Sequence, residues 1–201
     1  MLSYVKIFLY TNKMPIKKKT TLKFTKNIRL KLVNINDAKF IHDLRTNKIL
    51  SKYLNPTSFK LDDQKKWIKQ YFIRNKKDQE FYFKFQFKKQ NSFYDIGVAR
   101  VIKLTKKNFS FGSWIMRPNI SSWLAIECAL SIYEFAFKYK KFQKNLMWMD
   151  LKNKKVIIFH KLMGAIESHR DKKQLYAYLT ESNYNKIKQK LSYYFSKQIQ
   201  K

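Results

Sequence analysis

The alternation of hydrophobic and polar positions predicts several β-strands. The clearest is "EFYFKFQFKK" (80–89), in which four phenylalanines occupy one face and four more polar side chains occupy the other: Phe81, Phe83, Phe85 and Phe87 against Tyr82, Lys84, Gln86 and Lys88. Three further strands are predicted at "NIRLKLVNI" (27–35), "YDIGVARVIKL" (94–104) and "NFSFGSWIM" (108–116). The polar turn "TKKN" joins the last two.

Helical spacing alternates with these strands. "NDAKFIHDLRTN" (36–47) predicts a helix that Asn36 can cap, and "LDDQKKWIKQYFIRNKK" (61–77) predicts a second helix that begins with two aspartates. "SSWLAIECALSIYEFAFKYKK" (121–141) predicts a deeply buried helix with one polar stripe. The members of that stripe are Glu127, Ser131, Glu134 and Lys138.

The remaining third of the chain continues the alternation. It predicts a strand at "NLMWMD", a helix at "KKVIIFHKLMG", strands at "AIESHR" and "QLYAYLT", and a closing helix at "ESNYNKIKQKLSYYF". The complete order is β-α-α-β-β-β-α-β-α-β-β-α, which is typical of an α/β fold.

Composition favours one domain in a reducing compartment. The 201 residues are 45% hydrophobic and include only three Gly and three Pro, so we expect a single domain over 25–201 after a basic tail over 1–24. The run "MLSYVKIFLY" is too short to span a bilayer and no signal-peptide cleavage site follows, which favours a cytoplasmic protein, with Met14 as an alternative start. The single cysteine, Cys128, and the lack of a Cys/His cluster predict neither a disulfide nor a metal site.

The net charge of +31 has two interpretations. It can indicate nucleic-acid binding, because neutralisation of phosphates dominates such affinity. However, only six of the 44 basic residues are Arg, and the lysines are spread along the chain, which favours a genome-wide compositional bias. Nucleic acid is therefore not the expected main partner. A basic surface attracts any anionic ligand.

Two segments have the form of a ligand site. In "SWIMRPNISSW" a strand leads into a helix whose N-terminal N–H groups favour anions, with Ser121 or Ser122 as the cap, although ordinary capping explains these serines equally well. In "NKKVIIFHKLMGA" Asn153, Val156 and His160 share one stripe of a helix, and the first and last of them are roughly 10 Å apart. A long, thin ligand beside this helix would touch both ends.

Residues 27–185 resemble the GCN5-related N-acetyltransferase (GNAT) superfamily, in the branch of ribosomal-protein alanine acetyltransferases. The resemblance rests on "IRLKLVNINDAKFIHDLRTN", "DIGVARV", "FGSWIMRPNISSWLAIECAL" and "NKKVIIFHKLMGA". The last segment is similar to the family pattern Asn-x-x-Ala-x-x-Phe-Tyr-x-x-x-Gly-Phe, with His160 at the Tyr position. The resemblance implies a mixed, mostly antiparallel sheet with helices on both faces.

The resemblance also implies acetyl-CoA as the cofactor. Its pantetheine arm would lie between the strands "SWIM" and "NLMWMD", held by backbone groups near Ile115 and Met116. N–H groups of the following loop and helix would bind the pyrophosphate, through Arg117, Asn119, Ser121, Ser122, Trp123, Leu124 and Ala125. Asn153, Val156 and Phe159 would line the far side. The loop "RPNISSW" lacks the glycines that the family carries there.

The same resemblance implies direct transfer of acetyl to a primary amine. His160 would be the general acid, because an imidazolium can protonate a thiolate near neutral pH. Glu127 is a candidate base, with Asp150 as an alternative, and bulk solvent can also take the proton. No metal is needed.

The acceptor is expected near Arg45, Asn47, Ser113 and Asp150. Of the family members, the chain looks most similar to those acting on amino sugars of surface polysaccharides, so the expected acceptor is a nucleotide-linked amino sugar. The alternative is the N-terminus of a protein, such as a ribosomal one. A different class remains open, namely a nucleic-acid-binding protein on a degenerate acetyltransferase fold.

Overall fold

The computed structural model of the chain describes residues 21–23, 25 and 27–198. These residues form one eight-stranded sheet and five α-helices. Most of the predicted basic tail lies outside the described residues, but its last part, Thr21–Lys23, forms the edge strand β1.

The strands follow the hydrophobic pattern closely. Their bounds are β1 Thr21–Lys23, β2 Ile28–Leu32, β3 Glu80–Lys89, β4 Ser92–Lys103, β5 Asn108–Met116, β6 Lys144–Asp150, β7 Ile166–Arg170 and β8 Gln174–Thr180. The helices are α1 Ala38–Thr46, α2 Leu61–Lys76, α3 Ser122–Tyr133, α4 Lys154–Leu162 and α5 Glu181–Gln198. The described elements confirm the predicted order and add only β1.

The sheet has the order β1-β2-β3-β4-β5-β6-β8-β7 and is antiparallel except between β5 and β6. That parallel pair is short, because it aligns only Asn108 with Lys144 and Phe109 with Asn145. Beyond these residues the two strands diverge. The mixed, mostly antiparallel sheet is therefore confirmed, and it has a gap near its centre.

Two hydrophobic cores lie on opposite faces of the sheet. On one face, α1 and α2 pack over Tyr82, Val98 and Ile115. On the other face, the phenylalanines of β3 pack with α3 and with Tyr184 of α5. Helices therefore cover both faces, as the resemblance implied.

Strand β3 shows where simple alternation fails. The face predicted to be polar is buried beneath α1 and α2, with Tyr82, Lys84 and Gln86 all nearly inaccessible. Lys84 remains charged there, since burial lowers its pKa but the hydrogen bonds that its ammonium donates to Asp37 and Asp95 outweigh that effect and raise it. From the sequence alone, a buried Lys that has two carboxylate partners cannot be distinguished from a solvent-exposed Lys.

The polar stripe of α3 is also buried. Glu127, Ser131 and Glu134 each have hydrogen-bond partners inside the protein, and the helix continues as a π-helical segment, Glu134–Tyr139. The predicted cap of the first helix is wrong by two residues. Asn34, and not Asn36, caps the short 3₁₀ turn Ile35–Asp37 that leads into α1, and its side chain accepts from the Asn36 N–H.

Candidate active site

A β-bulge in β5 opens the central gap of the sheet. Val98 of β4 pairs with Ile115, but Arg100 pairs with Gly112, so β5 contains one extra residue at Ser113–Trp114. Ser113 adopts a left-handed φ of 49°, which is the conformation of the first residue in a G1-type bulge. Because the bulge bends β5 away from β6, a cleft forms between the two strands toward their C-terminal ends.

Polar atoms at the cleft lack protein partners. Where the β5–β6 ladder ends, the side-chain oxygen of Asn145 accepts from the Phe111 N–H at 3.0 Å, replacing a backbone bond. Within the described residues, its Nδ2 and the buried indole Nε1 of Trp114 have no hydrogen-bond partner. Buried polar groups are almost always satisfied, so these two donors mark the point at which the regular β5–β6 hydrogen bonding ends.

The N–H groups between β5 and α3 are of two kinds: some donate to an acceptor within the protein, and others lie at the start of α3, where no intrahelical acceptor is available. The Arg117 N–H donates to the Ile96 carbonyl and the Ala125 N–H donates to Ser121, so these two groups are not free for a pyrophosphate. Ser122, Trp123 and Leu124 form the first turn of α3, whose N–H groups have no intrahelical acceptor.

This loop is built without glycine. Asn119 takes the left-handed conformation with a φ of 61°, a region that Asn tolerates better than most residues. Ser121 stands at the N-cap position, but its side chain makes no capping hydrogen bond. Anions favour such a helix start.

Helix α4 flanks the cleft on the β6 side. Asn153 caps it by accepting from the Val156 N–H, and Phe159 packs edge-on against Trp114 at 4.9 Å. Asn153, Val156 and Phe159 therefore lie on the element that the resemblance assigned to the far side of the cofactor.

The state of His160 differs from the expected imidazolium. Its ring is only 5% exposed, lies against Phe111 and Phe159, and has Tyr133 Oη at 3.4 Å from Nδ1. Burial lowers the pKa of His160 to about 4. At neutral pH the ring is therefore neutral, and the structure does not support a cationic acid at this position.

Glu127 has a structural partner. It is 7% exposed, and its two carboxylate oxygens accept from the backbone N–H and the side-chain amide of Asn27, at 2.7 and 3.1 Å. This carboxylate joins α3 to the start of β2. The geometry does not favour its expected role as a base.

A cavity of about 270 Å³ lies on the α1–α2 face of the sheet, beside the bulge. It brings together Arg45, from the end of α1, and Ser113, two residues that the sequence had assigned to the acceptor. The other lining residues come from the α1–α2 loop, α2, β3 and β4: Asn55, Pro56, Thr57, Ser58, Asp63, Gln64, Trp67, Tyr82 and Arg100.

The cavity has a positive wall. Arg45 is half-buried and donates only to neutral oxygens, the Thr57 hydroxyl at 2.9 Å and the Asn55 carbonyl at 2.7 Å. Burial lowers the pKa of Arg45, and the charge of Arg100 contributes, yet a guanidinium stays protonated. Arg100 pairs with the buried Glu80, which also accepts from Arg74.

Asn47 and Asp150 do not line this cavity. Asn47 ends α1 and accepts from two N–H groups of the next turn, while Asp150 ends β6 and accepts from the Lys152 N–H. Arg100 was missed in the sequence. A charge inside the apolar run "IGVARVI" was the available signal, because a buried strand seldom carries an Arg.

Comparisons with known proteins agree with this geometry. The family described as "Acetyltransferase (GNAT) domain" matches residues 27–166. Among solved structures, apo FdhC, described as a nucleotide-linked sugar GNAT, is 30% identical, has a TM-score of 0.74, and covers 83% of this chain and 93% of its own. No curated protein sequence matches the chain.

Two more distant structures share the fold. Spermidine N-acetyltransferase from Vibrio cholerae, solved with CoA and spermine, is 18% identical with a TM-score of 0.67 and covers 80% of this chain and 99% of its own. A GNAT-family acetyltransferase from Bacillus anthracis is 15% identical, also with a TM-score of 0.67, and covers 81% and 99%.

The chain belongs to the GNAT acetyltransferase family. The cofactor that this family uses is acetyl-CoA, and the residues present fit it. The diverging strands and the first turn of α3, whose N–H groups have no intrahelical acceptor, provide an elongated site with an anion-binding end. No helix in the described part of the chain is long and apolar enough to cross a membrane.

Proposed function

We propose that this chain transfers an acetyl group from acetyl-CoA to the amino group of a nucleotide-linked amino sugar. The observation that carries the proposal is Arg45, a half-buried guanidinium without a carboxylate within ion-pair distance in the described structure, facing a partly open cavity beside the cleft. A second guanidinium, Arg100, lines the same cavity. Such a pair favours an acceptor that carries phosphates.

The charges argue against a polyamine. A spermidine-like acceptor is a multiple cation, and it would meet two guanidinium groups in the cavity and a net charge of +31 on the protein. The one carboxylate of the cavity lining, Asp63, already accepts from the Ser58 hydroxyl and pairs with Lys66. A cavity of about 270 Å³ also has a size that suits a sugar. The 30% identity to a nucleotide-linked sugar GNAT supports the same acceptor class.

The protein's own groups would act mainly by positioning. Acetyl-CoA supplies the acetyl group as an activated thioester. Arg45 and Arg100 would hold the anionic acceptor so that its amine reaches the cleft at Ser113. His160 would keep a neutral N–H beside the cleft, able to stabilise the leaving sulfur by a hydrogen bond, and the amine proton would pass to solvent through the open cavity mouth.

The test is the release of free CoA thiol with three acceptor classes. We expect kcat/KM to be highest for a nucleotide-linked amino sugar, lower for a peptide N-terminus and lowest for spermidine. Arg45→Gln should raise KM for the sugar nucleotide about tenfold or more, while Arg29→Gln, on the distant strand β2, should leave it unchanged. A preference for spermidine or for the peptide would refute the proposal.

A further inference from the structure

One face of the C-terminal half of the sheet is open and aromatic. Residues 147 and 149 of β6 point into the core beneath α3, so their neighbour Trp148 points to the opposite face, where α1 and α2 lie. There Trp148 is 51% exposed. Its cross-strand partner on β8 is Tyr176, whose own partner on β7 is His169.

We call Trp148, Tyr176 and His169 the aromatic row. Contacts with neighbouring side chains hold Tyr176 and His169 in place. The rings of His169 and Tyr176 stack at 4.3 Å with an interplanar angle of 4°. The Tyr176 hydroxyl donates to Asp171 at 3.0 Å, which fixes that ring. Because adjacent strands are about 4.8 Å apart, the aromatic row extends roughly 10 Å from β6 to β7.

The aromatic row begins directly across the cleft from the acceptor cavity. The last aligned pair of the parallel strands is Phe109 with Asn145. Gly112 follows Phe109 by three residues on β5, and Trp148 follows Asn145 by three residues on β6. Trp148 therefore lies at the same height along the strands as Gly112, the residue before Ser113. A ligand held in the cavity can therefore continue across the cleft mouth onto the row.

The surrounding charges suit a diphosphate. Lys152, Lys172 and Lys173 follow the ends of β6 and β7 at the open end of the cleft. The two nearby carboxylates are held in local turns, because Asp150 accepts from the Lys152 N–H and Asp171 accepts from the N–H groups of Lys173 and Gln174. Exposed lysines beside carboxylates that are held in turns favour an anionic occupant at this edge.

We propose that the aromatic row binds the base of a nucleoside diphosphate, with Trp148 as the main stacking surface. The inference rests on the proposed function, and it identifies the nucleotide half of the acceptor's site. The sugar would occupy the cavity of Arg45 and Arg100, the diphosphate would cross the cleft mouth, and the base would stack on Trp148. Stacking on an aromatic side chain is tolerant of base identity.

The test is calorimetric titration of the full chain with UDP and with dTDP, in the presence of saturating CoA so that the cofactor's nucleotide site is filled. Trp148→Ala should weaken binding of the nucleotide about tenfold or more, as loss of one stacking contact does. Trp148→Phe should restore most of the affinity. Tyr94→Ala is the matched control, because Tyr94 is a strand aromatic that is 52% exposed on β4, and it should change nothing.

Three results would overturn the inference. The first is that neither nucleotide binds, and the second is that wild type and Trp148→Ala bind equally well. The third is that Trp148→Ala lowers the molecular mass measured by light scattering while the nucleotide affinity stays unchanged, which would assign this face to a contact with a second copy of the chain. Acetyl transfer to nucleotide-linked amino sugars is measured separately. If Trp148→Ala leaves acetyl transfer unchanged, only the role of the aromatic row is refuted. If nucleotide binding depends on Trp148 but no acetyl transfer occurs, only the proposed function is refuted.

Discussion

At the scale of single residues, the site depends on a few side chains in unusual environments. A histidine buried among aromatic rings stays neutral, a half-buried arginine has no carboxylate partner in the described structure, and a serine holds a left-handed backbone. Each environment determines what the side chain can do, and residue type alone does not. His160 shows this most clearly, since its sequence position suggested an acid and its burial removes the charge.

Burial of His160 has a consequence for stability. An unfolded histidine takes up a proton near pH 6.5, but the folded ring resists it until about pH 4. The unfolded state therefore binds more protons between these values, so stability falls as pH drops from about 6.5 to about 4, by roughly 3 kcal/mol in total from this group. The His160→Phe variant should lose this part of the pH dependence.

Urea unfolding at pH 7 and at pH 4.5 measures the effect. The wild-type free energy of unfolding should fall more between the two pH values than that of His160→Phe, because the carboxylates titrate alike in both proteins. Identical falls would show that His160 is not held neutral.

At the scale of elements, the cleft depends on how closely β4 approaches β5. Gly97 pairs with Met116, and a Cβ at position 97 would lie 2.6 Å from the Ile115 carbonyl oxygen and 3.0 Å from the Met116 Cα. Backbone atoms cannot move aside as a flexible side chain can. Gly97 therefore fixes the strand that forms one wall of the cleft.

Gly97→Ala should push β5 out of position. We expect a loss of about 1 to 3 kcal/mol of stability, as overpacking typically causes, together with weaker acetyl-CoA binding. Gly112→Ala is the matched control on the same strand region, because nothing lies within 4 Å of a Cβ there. Thermal melts with and without acetyl-CoA compare the two, and equal behaviour of both variants would contradict this role for Gly97.

Much of this element structure could be predicted from sequence. The phenylalanine alternation of β3 and the spacing of α3 indicated strand and helix correctly, since local periodicity directly reflects which face is buried. The acceptor cavity could not be predicted in full, because Arg100, Tyr82 and Trp67 come together only through β3–β4 pairing and α2 packing. The burial of Lys84 was hidden for the same reason, since its partners Asp37 and Asp95 are remote in sequence.

At the scale of the whole molecule, the net charge of +31 has the same sign as the two guanidinium groups that line the cavity. Long-range attraction raises the rate of encounter with an anionic acceptor and is screened by salt over about 10 Å at 0.1 M. The proposed anionic acceptor would be attracted by this charge even though the lysines are scattered along the chain. The positive net charge also disfavours a cationic acceptor.

The most direct measurement is the ratio of kcat/KM for a nucleotide-linked amino sugar to kcat/KM for the same amino sugar without its phosphates. We expect a ratio of about 100 or more at low salt, because removal of the phosphates removes the charge-assisted contacts to Arg45 and Arg100. The ratio should shrink as ionic strength rises. A ratio near one at every ionic strength would contradict an anionic acceptor and with it the central claim.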